Sequence, residues 1–255
     1  VIAPETGSTN NSGKYLSVGY LPNWSAQGFY QNINWSGLTH ICLAFCNPDT
    51  SGNLSYASDS LTRSIVETAH KNGVKVLASL GGADYGDNYT ALVTSSRMDS
   101  FNDQIIRFAQ NYNLDGIDID IEGDSHTAQS VWDNYEAWMR TLSEKCKANN
   151  LLFTTAVGQW YANKITNTTF TYFDYVMLME YDCSASTYPN RISYFTGTKG
   201  VPANKIVLGV PFYDNNTAYS GLSDSAKTTL RNRVAGIVPL SKNYAGIMNW
   251  ELTQD

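Results

Sequence analysis

The chain has 255 residues, room for one large domain or two small ones with a substantial core and no need of disulfides. Its 17 basic against 23 acidic side chains give a formal charge of −6, which argues against nucleic acid or an anionic membrane surface as partner, and no run of about 18 apolar residues offers a bilayer span. Charged residues are only 16% where ~25% is usual, and in their place stand 71 Ser, Thr and Asn and 32 aromatics, uncharged hydrogen-bonding groups and flat rings of the kind sugars bind.

Residues 1–14 are polar and rich in Gly, Ser and Asn, and read as a flexible leader or linker. The chain opens on Val1 rather than Met, as expected of a processed form whose signal peptide would already be gone. Tyr15–Leu21 and Thr39–Phe45 are the first predicted strands. Asp59–Asn72 sets Leu61, Ile65, Val66 and Ala69 on one helical stripe and stops at Gly73. Val74–Leu80 is the third strand, followed by a helix over Met98–Tyr112 with Phe101, Ile105, Ile106, Phe108 and Ala109 on its stripe. Gly116–Ile121 leads to a helix over Ala128–Ala148, striped by Val131, Trp132, Tyr135, Trp138, Met139 and Leu142. Leu151–Val157 and Tyr175–Met179 are strands with short, poorly periodic stretches after them. Ile206–Pro211, a more polar helix over Ser223–Val234, and Ala245–Trp250 complete the series.

Strands alternating with helices predict a parallel sheet. Eight such units predict an α/β fold, a single-domain (βα)8 TIM barrel over residues 15–255, in preference to an open doubly wound sheet. Only five residues follow the last strand, so the last helix is expected to be missing. Cys42, Cys46, Cys146 and Cys183 form no Cys-x-x-Cys pair and draw no zinc spacing with His40, His70 and His126. Buried thiols, no metal and no other cofactor are expected. Cys42 and Cys46 on one strand would lie roughly 13 Å apart, too far to bridge. Seven Asn-x-Ser/Thr triplets, as at Asn23, Asn88 and Asn167, are of the number that so Asn-, Ser- and Thr-rich a chain supplies largely by chance.

The chemistry concentrates in Asp115-Gly116-Ile117-Asp118-Ile119-Asp120-Ile121-Glu122. Side chains on a strand alternate between faces, so Asp118, Asp120 and Glu122 share one face and the three isoleucines the other. The isoleucines suit the outer helices, which turns the carboxylates into the barrel at roughly 6.6 Å intervals. Three acids there are costly to bury, and they cannot all ionise, so at least one proton is retained. Glu122 ends the row at the carboxyl end of its strand, where barrel active sites lie, and a carboxyl of raised pKa there suits a general acid.

The pattern Asp-Gly-x-Asp-x-Asp-x-Glu resembles the signature of family 18 glycoside hydrolases. Ser79-Leu80-Gly81-Gly82 resembles that family's Ser-x-Gly-Gly motif, and Met179-Glu180-Tyr181-Asp182 its Met-x-Tyr-Asp motif. Gly209-Val210-Pro211-Phe212-Tyr213 is similar to the end of its seventh strand and Gly246-Ile247-Met248-Asn249-Trp250 to its eighth; Gly19-Tyr20 and Ala44-Phe45 fit the first two. The blocks stand in the family's order along residues 15 to 255.

The resemblance implies retaining hydrolysis of β-1,4 links in N-acetylglucosamine polymers, with the substrate's acetamido carbonyl as nucleophile. Glu122 would protonate the leaving oxygen, and Asp120 would orient the acetamido N–H. Asp118 would share a proton with Asp120, with Ser79 supporting it. Tyr181 would donate to the acetamido oxygen. Trp250 would floor the reacting sugar, with Tyr20 and Phe45 as walls; Asp182, Met179, Gly81, Gly82 and Tyr213 complete the expected substrate contacts. Trp24, Tyr85, Trp160, Tyr161 and Tyr188 follow strand ends and are candidates to line a groove; Asn249 and Arg191 are candidates to touch sugar, and His126 reads as a surface loop residue. Two departures stand out: Gly123-Asp124 follows the acid where many members have an aromatic residue and Pro, and Asp214 stands where many have Gly. About 30 residues separate Tyr213 from the eighth strand, too few for the α+β module some members insert, which points to an open cleft and endo action. The expected partner is an N-acetylglucosamine-containing oligo- or polysaccharide, acted on by a monomer that is secreted or held in the periplasm or at the cell surface. An endo-β-N-acetylglucosaminidase cutting the chitobiose core of N-glycans is the alternative enzyme, and a chitin-binding lectin-like barrel the alternative without activity.

Overall fold

A computed structural model describes residues 15–83, 85–122 and 127–254. The expected leader over 1–14 lies outside the described residues, as do Gly123, Asp124 and His126. Eight strands form a closed barrel: β1 (Leu16–Pro22), β2 (His40–Ala44), β3 (Lys75–Gly82), β4 (Gly116–Ile121), β5 (Leu152–Val157), β6 (Tyr175–Leu178), β7 (Ile206–Pro211) and β8 (Gly246–Trp250). Each strand pairs in parallel with its sequence neighbours, and β8 returns to β1 through Leu16 opposite Gly246. The predicted strands agree with these to within two residues at either end.

The helices are α1 (Asp59–Lys71), α2 (Met98–Asn111), α3 (Gln129–Ala148), the one-turn α4 (Gln159–Ala162) and α5 (Asn167–Phe170), α6 (Tyr188–Ser193) and α7 (Asp224–Ser241). Ser58 caps α1 by accepting the Leu61 N–H at 3.3 Å, and Gly73, at φ +72°, lets the chain leave that helix. α6 runs on into a π-helical turn, Tyr194–Thr198.

α7 extends seven residues beyond the predicted Val234. Its buried side chains are only Leu230, Ile237 and Ser241, too sparse a stripe to mark where it ends, and Pro239 lies inside its last turn. Between β7 and β8 stand a two-residue hairpin, Tyr213–Asp214 against Thr217–Ala218, then a 3-10 turn and α7. Asn215 and Asn216 turn the hairpin at φ +44° and +60°, the double left-handed conformation of a type I′ turn. After β8 the described residues hold a 3-10 turn, Leu252–Gln254. All four cysteines are free and buried.

Candidate active site

Ile117, Ile119 and Ile121 are buried on the outer face of β4, and the alternate face carries the acids into the barrel. A hydrogen bond fixes this direction. Tyr20 on β1 donates to Asp118 Oδ2 at 2.8 Å, and β1 and β4 are not neighbours in the sheet, so the bond crosses the interior. Ser79 Oγ, opposite Asp118 on β3, gives Oδ2 a second donor at 2.7 Å, and Thr154 Oγ1, opposite it on β5, donates to Oδ1 at 2.6 Å. Three hydroxyls therefore hold a carboxylate that is fully buried. Burial pushes the Asp118 pKa up, and the three donors act against it.

Asp120 stands one pleat further out, 2% exposed, with no hydrogen-bond partner for Oδ1. Burial above all, then the charges of Glu122 and Asp118, push its pKa well above the ordinary carboxylate value. Both inner carboxyls are thus pushed toward their protonated forms, Asp120 the more strongly. Glu122 follows at the strand end, half-buried, its backbone carbonyl accepting Thr127 Oγ1 at 2.8 Å. The order is an inner carboxyl pinned by three hydroxyls, a buried middle one whose pKa is raised further, and an outer one at the strand end.

Tyr181 lies across from the acids, beyond the end of β6. Its ring packs edge-on to Tyr213 at 6.2 Å and its hydroxyl lies 3.7 Å from Met248 Sδ. Burial and the neighbouring Asp120 charge push that hydroxyl well above its ordinary pKa, so it remains a donor. Gly209 provides the ring's seat: a Cβ there would meet Tyr181 Cε1 at 3.0 Å and the Leu178 carbonyl at 2.1 Å.

The aromatic residues form a ladder. Trp250 stacks on Phe45 at 5.7 Å and 19°, and Phe45 meets Trp24 at 6.1 Å. Trp24, 60% exposed, carries the ladder out to solvent, and Tyr85 and Trp160 are exposed at other strand ends. The Ala44–Phe45 and Trp250–Glu251 peptide bonds are cis.

Other expected contacts take different places. Tyr20 is not a wall: it is buried under Trp250, 5.7 Å ring to ring, and its hydroxyl serves Asp118. Tyr161 and Tyr188 are core residues at 1% and 0% exposure. The Tyr188 hydroxyl accepts the Gly209 N–H at 2.8 Å and donates to the Gly209 carbonyl at 3.1 Å. Gly81 and Gly82 have φ of +116° and +89°. The Asn47 side chain takes both the N–H and the carbonyl of Gly81 at 2.8 Å, and a Cβ on Gly81 would sit 2.1 Å from the Asp120 carbonyl. Gly81 thus lets β3 lie close against the acid strand, while Gly82 makes room for Phe45, whose Cε2 a Cβ there would meet at 2.6 Å. Met179 is buried, whereas Asp182 is exposed and borders a cleft of ≈ 450 Å³ with Gln159, Thr187 and Arg191. Thr154, Asn47 and Arg233 carry no signal in the sequence, and Glu180 is the unassigned position of the Met-x-Tyr-Asp motif. Thr154 lies opposite Asp118 only by strand register, which no local pattern reports.

Comparison with known proteins identifies the family and matches the barrel fold. Residues 17–238 match the family model of Glycosyl hydrolases family 18. The GH18 chitinase ChiB from Flavobacterium johnsoniae superposes with a TM-score of 0.80 at 26% identity, over 96% of this chain and 90% of that one. A chitinase from Bacteroides thetaiotaomicron does so with a TM-score of 0.74 at 27% identity, over 94% and 90%. Among curated sequences, Chitinase 1 of Aphanocladium album is 26% identical over 83% of this chain, and a chitinase-like effector of Moniliophthora roreri 27% over 80%. The chain spans 64% and 59% of those two relatives' lengths.

Proposed function

The chain belongs to glycosyl hydrolases family 18, and from that premise we propose that it hydrolyses β-1,4 links between N-acetylglucosamine units, as in chitin, with retention and with the substrate's own acetamido group as nucleophile. One observation carries the reading: the carboxyl row runs from a buried, three-donor anchor at Asp118 to Glu122 at the strand end, with Tyr181 near Asp120 and Glu122 and with Trp250 packed on the Tyr20 ring that holds Asp118.

In this reading the sugar's C–H face lies on Trp250. Glu122 gives its proton to the glycosidic oxygen as the bond to the anomeric carbon breaks, and the acetamido oxygen closes onto that carbon. The nucleophile is already held beside its target, so no protein nucleophile is needed. Asp120 accepts from the acetamido N–H while Asp118 takes up the shared proton, and the charge on Asp120 offsets the oxazolinium. Tyr181 donates to the acetamido oxygen. Water then opens the ring with Glu122 as base, which restores every group. The short hairpin after β7 supports an open cleft and endo action, and a polymeric substrate supports an extracellular or cell-surface location.

The test compares products from chitin pentamer with those from a high-mannose glycopeptide. Internal cleavage of the pentamer is expected. Cleavage of the glycopeptide alone would transfer the reading to an N-glycan endoglycosidase, and binding without cleavage of either to a lectin. Glu122→Gln should lower turnover by about 10² or more with oligomer binding kept. Near-normal turnover would remove Glu122 as the acid.

A further inference from the structure

The Tyr181 hydroxyl stands on a segment that the barrel's ladder does not hold. β6 is paired with β5 and β7 only as far as Leu178, and Glu180, Tyr181 and Asp182 follow beyond that point. Two guanidinium groups reach this segment, one from α6 and one from α7.

Arg191, on α6, lies 3.3 Å through Nε from Glu180 Oε2 and donates through Nη1 to Gln159 Oε1 at 3.0 Å. Its Nη2 is 3.8 Å from Asp182 Oδ2. Glu180 Oε1 in turn accepts the Gln159 N–H at 2.6 Å, which ties the segment to the start of α4. Glu180, Asp182 and Cys183 bring three ligand-type atoms within 4.8 Å of one another, and Arg191 already supplies the positive charge for that group. Arg233, on α7, donates through Nη1 to the Tyr181 carbonyl at 3.2 Å and lies 3.7 Å through Nη2 from Asp214 Oδ1. Asp214 belongs to the hairpin that also carries Tyr213, the ring beside Tyr181.

The Glu180 carboxylate is turned to the Gln159 N–H and the Arg191 guanidinium on α4 and α6, so we give it no direct part in the chemistry. Glu180 is buried but the Arg191 side chain is 38% exposed, and such a solvent-screened pair gains little net stability, so its value is in the geometry it fixes. We propose that Arg191 and Arg233 are positioning residues that brace the Tyr181–Asp182 segment from two separate helices and set where the Tyr181 hydroxyl stands relative to Asp120. The proposal rests on the reading of Tyr181 as donor to the acetamido oxygen. A misplacement of about 1 Å in such a donor costs up to about 10²-fold in rate.

A double-mutant cycle tests it, with kcat and KM on a chromogenic chitobioside and a thermal unfolding curve for each variant. Arg233→Met and Arg191→Met should each lower kcat about tenfold with KM changed less than about threefold. In a Tyr181→Phe background the same substitutions should lower kcat less than about twofold, because the hydroxyl they position is gone. Equal losses in both backgrounds would show a general structural role and overturn the proposal. Asp214→Asn, on the surface hairpin, releases Arg233's outer anchor and should show the same coupling to Tyr181 if the Met variants do not fold. Full turnover by Tyr181→Phe alone would overturn the reading of Tyr181 itself, and the brace with it.

Discussion

Thr154→Val isolates one of the three donors that hold Asp118. The hydroxyl of Thr154 is buried and lies 2.6 Å from Asp118 Oδ1, while Tyr20 and Ser79 both serve Oδ2. Valine keeps the shape, so among the described residues the change leaves Oδ1 without a donor and opens no sizeable cavity. A buried acceptor left unsatisfied costs about 1–3 kcal/mol, with the upper end for an ionised one. The cost therefore depends on pH. The Thr154 hydroxyl favours the charged form of Asp118, so its loss lifts a pKa that burial has already raised above 3.8. Where Asp118 is protonated in the fold little is lost, and the penalty grows as pH rises through its raised pKa. A loss of ~2 kcal/mol corresponds to a fall in Tm of roughly 4–8 °C for a domain of this size. Urea midpoints at pH 4 and pH 8 measure it. Thr155→Val is the control, since that hydroxyl donates to the Ile119 backbone carbonyl at 2.8 Å and no carboxylate is involved. A Thr154→Val penalty equal at both pH values, or below ~0.5 kcal/mol at pH 8, would refute the reasoning.

Asp120→Asn tests the same row in the other direction. The folded state keeps a proton on Asp120 above the pH at which the unfolded chain releases it, so wild-type stability falls as pH rises from the ordinary carboxylate range through the raised pKa. Asparagine removes that slope, so the variant should gain stability on the wild type between pH 4 and pH 8, read from urea midpoints, while turnover collapses. Gly209→Ala sets a methyl 2.1 Å from the Leu178 carbonyl and 3.0 Å from the Tyr181 ring; thermal unfolding should report a loss of about 1–3 kcal/mol or more, and turnover should fall with it. Tyr188→Phe leaves the buried Gly209 N–H without the hydroxyl that accepts it and should cost about 1–3 kcal/mol by the same measurement.

Much of the barrel was readable because its signals are local. Alternation sorted Asp118, Asp120 and Glu122 from Ile117, Ile119 and Ile121 on a single strand, and the stripe before Gly73 ended α1 within two residues of the predicted boundary. α7 was readable only in part, because its stripe is thin: Leu230 and Ile237 are buried two turns apart with only a partly buried Val234 between them. Tyr161 and Tyr188 follow strand ends just as Trp24 and Trp160 do, yet the first two are core and the last two exposed. Nothing near them in sequence separates the cases, since the choice rests on which way each short turn or helix faces once it lies against the barrel.

The sequence by itself determined eight strands in order, their alternation, and the row of acids with the motifs around it. Those depend on residues close together in the chain, where strand and helix periods act. Only the closed barrel decided who holds the acids. It carries Tyr20 across the interior to Asp118, sets Ser79 and Thr154 opposite that residue by register, and brings Arg191 and Arg233 from two helices to one segment. Thr154 is 36 residues from Asp118 and Tyr20 is 98, and no local period relates such positions. Their meeting follows from strand register and ring closure, which belong to the assembled sheet.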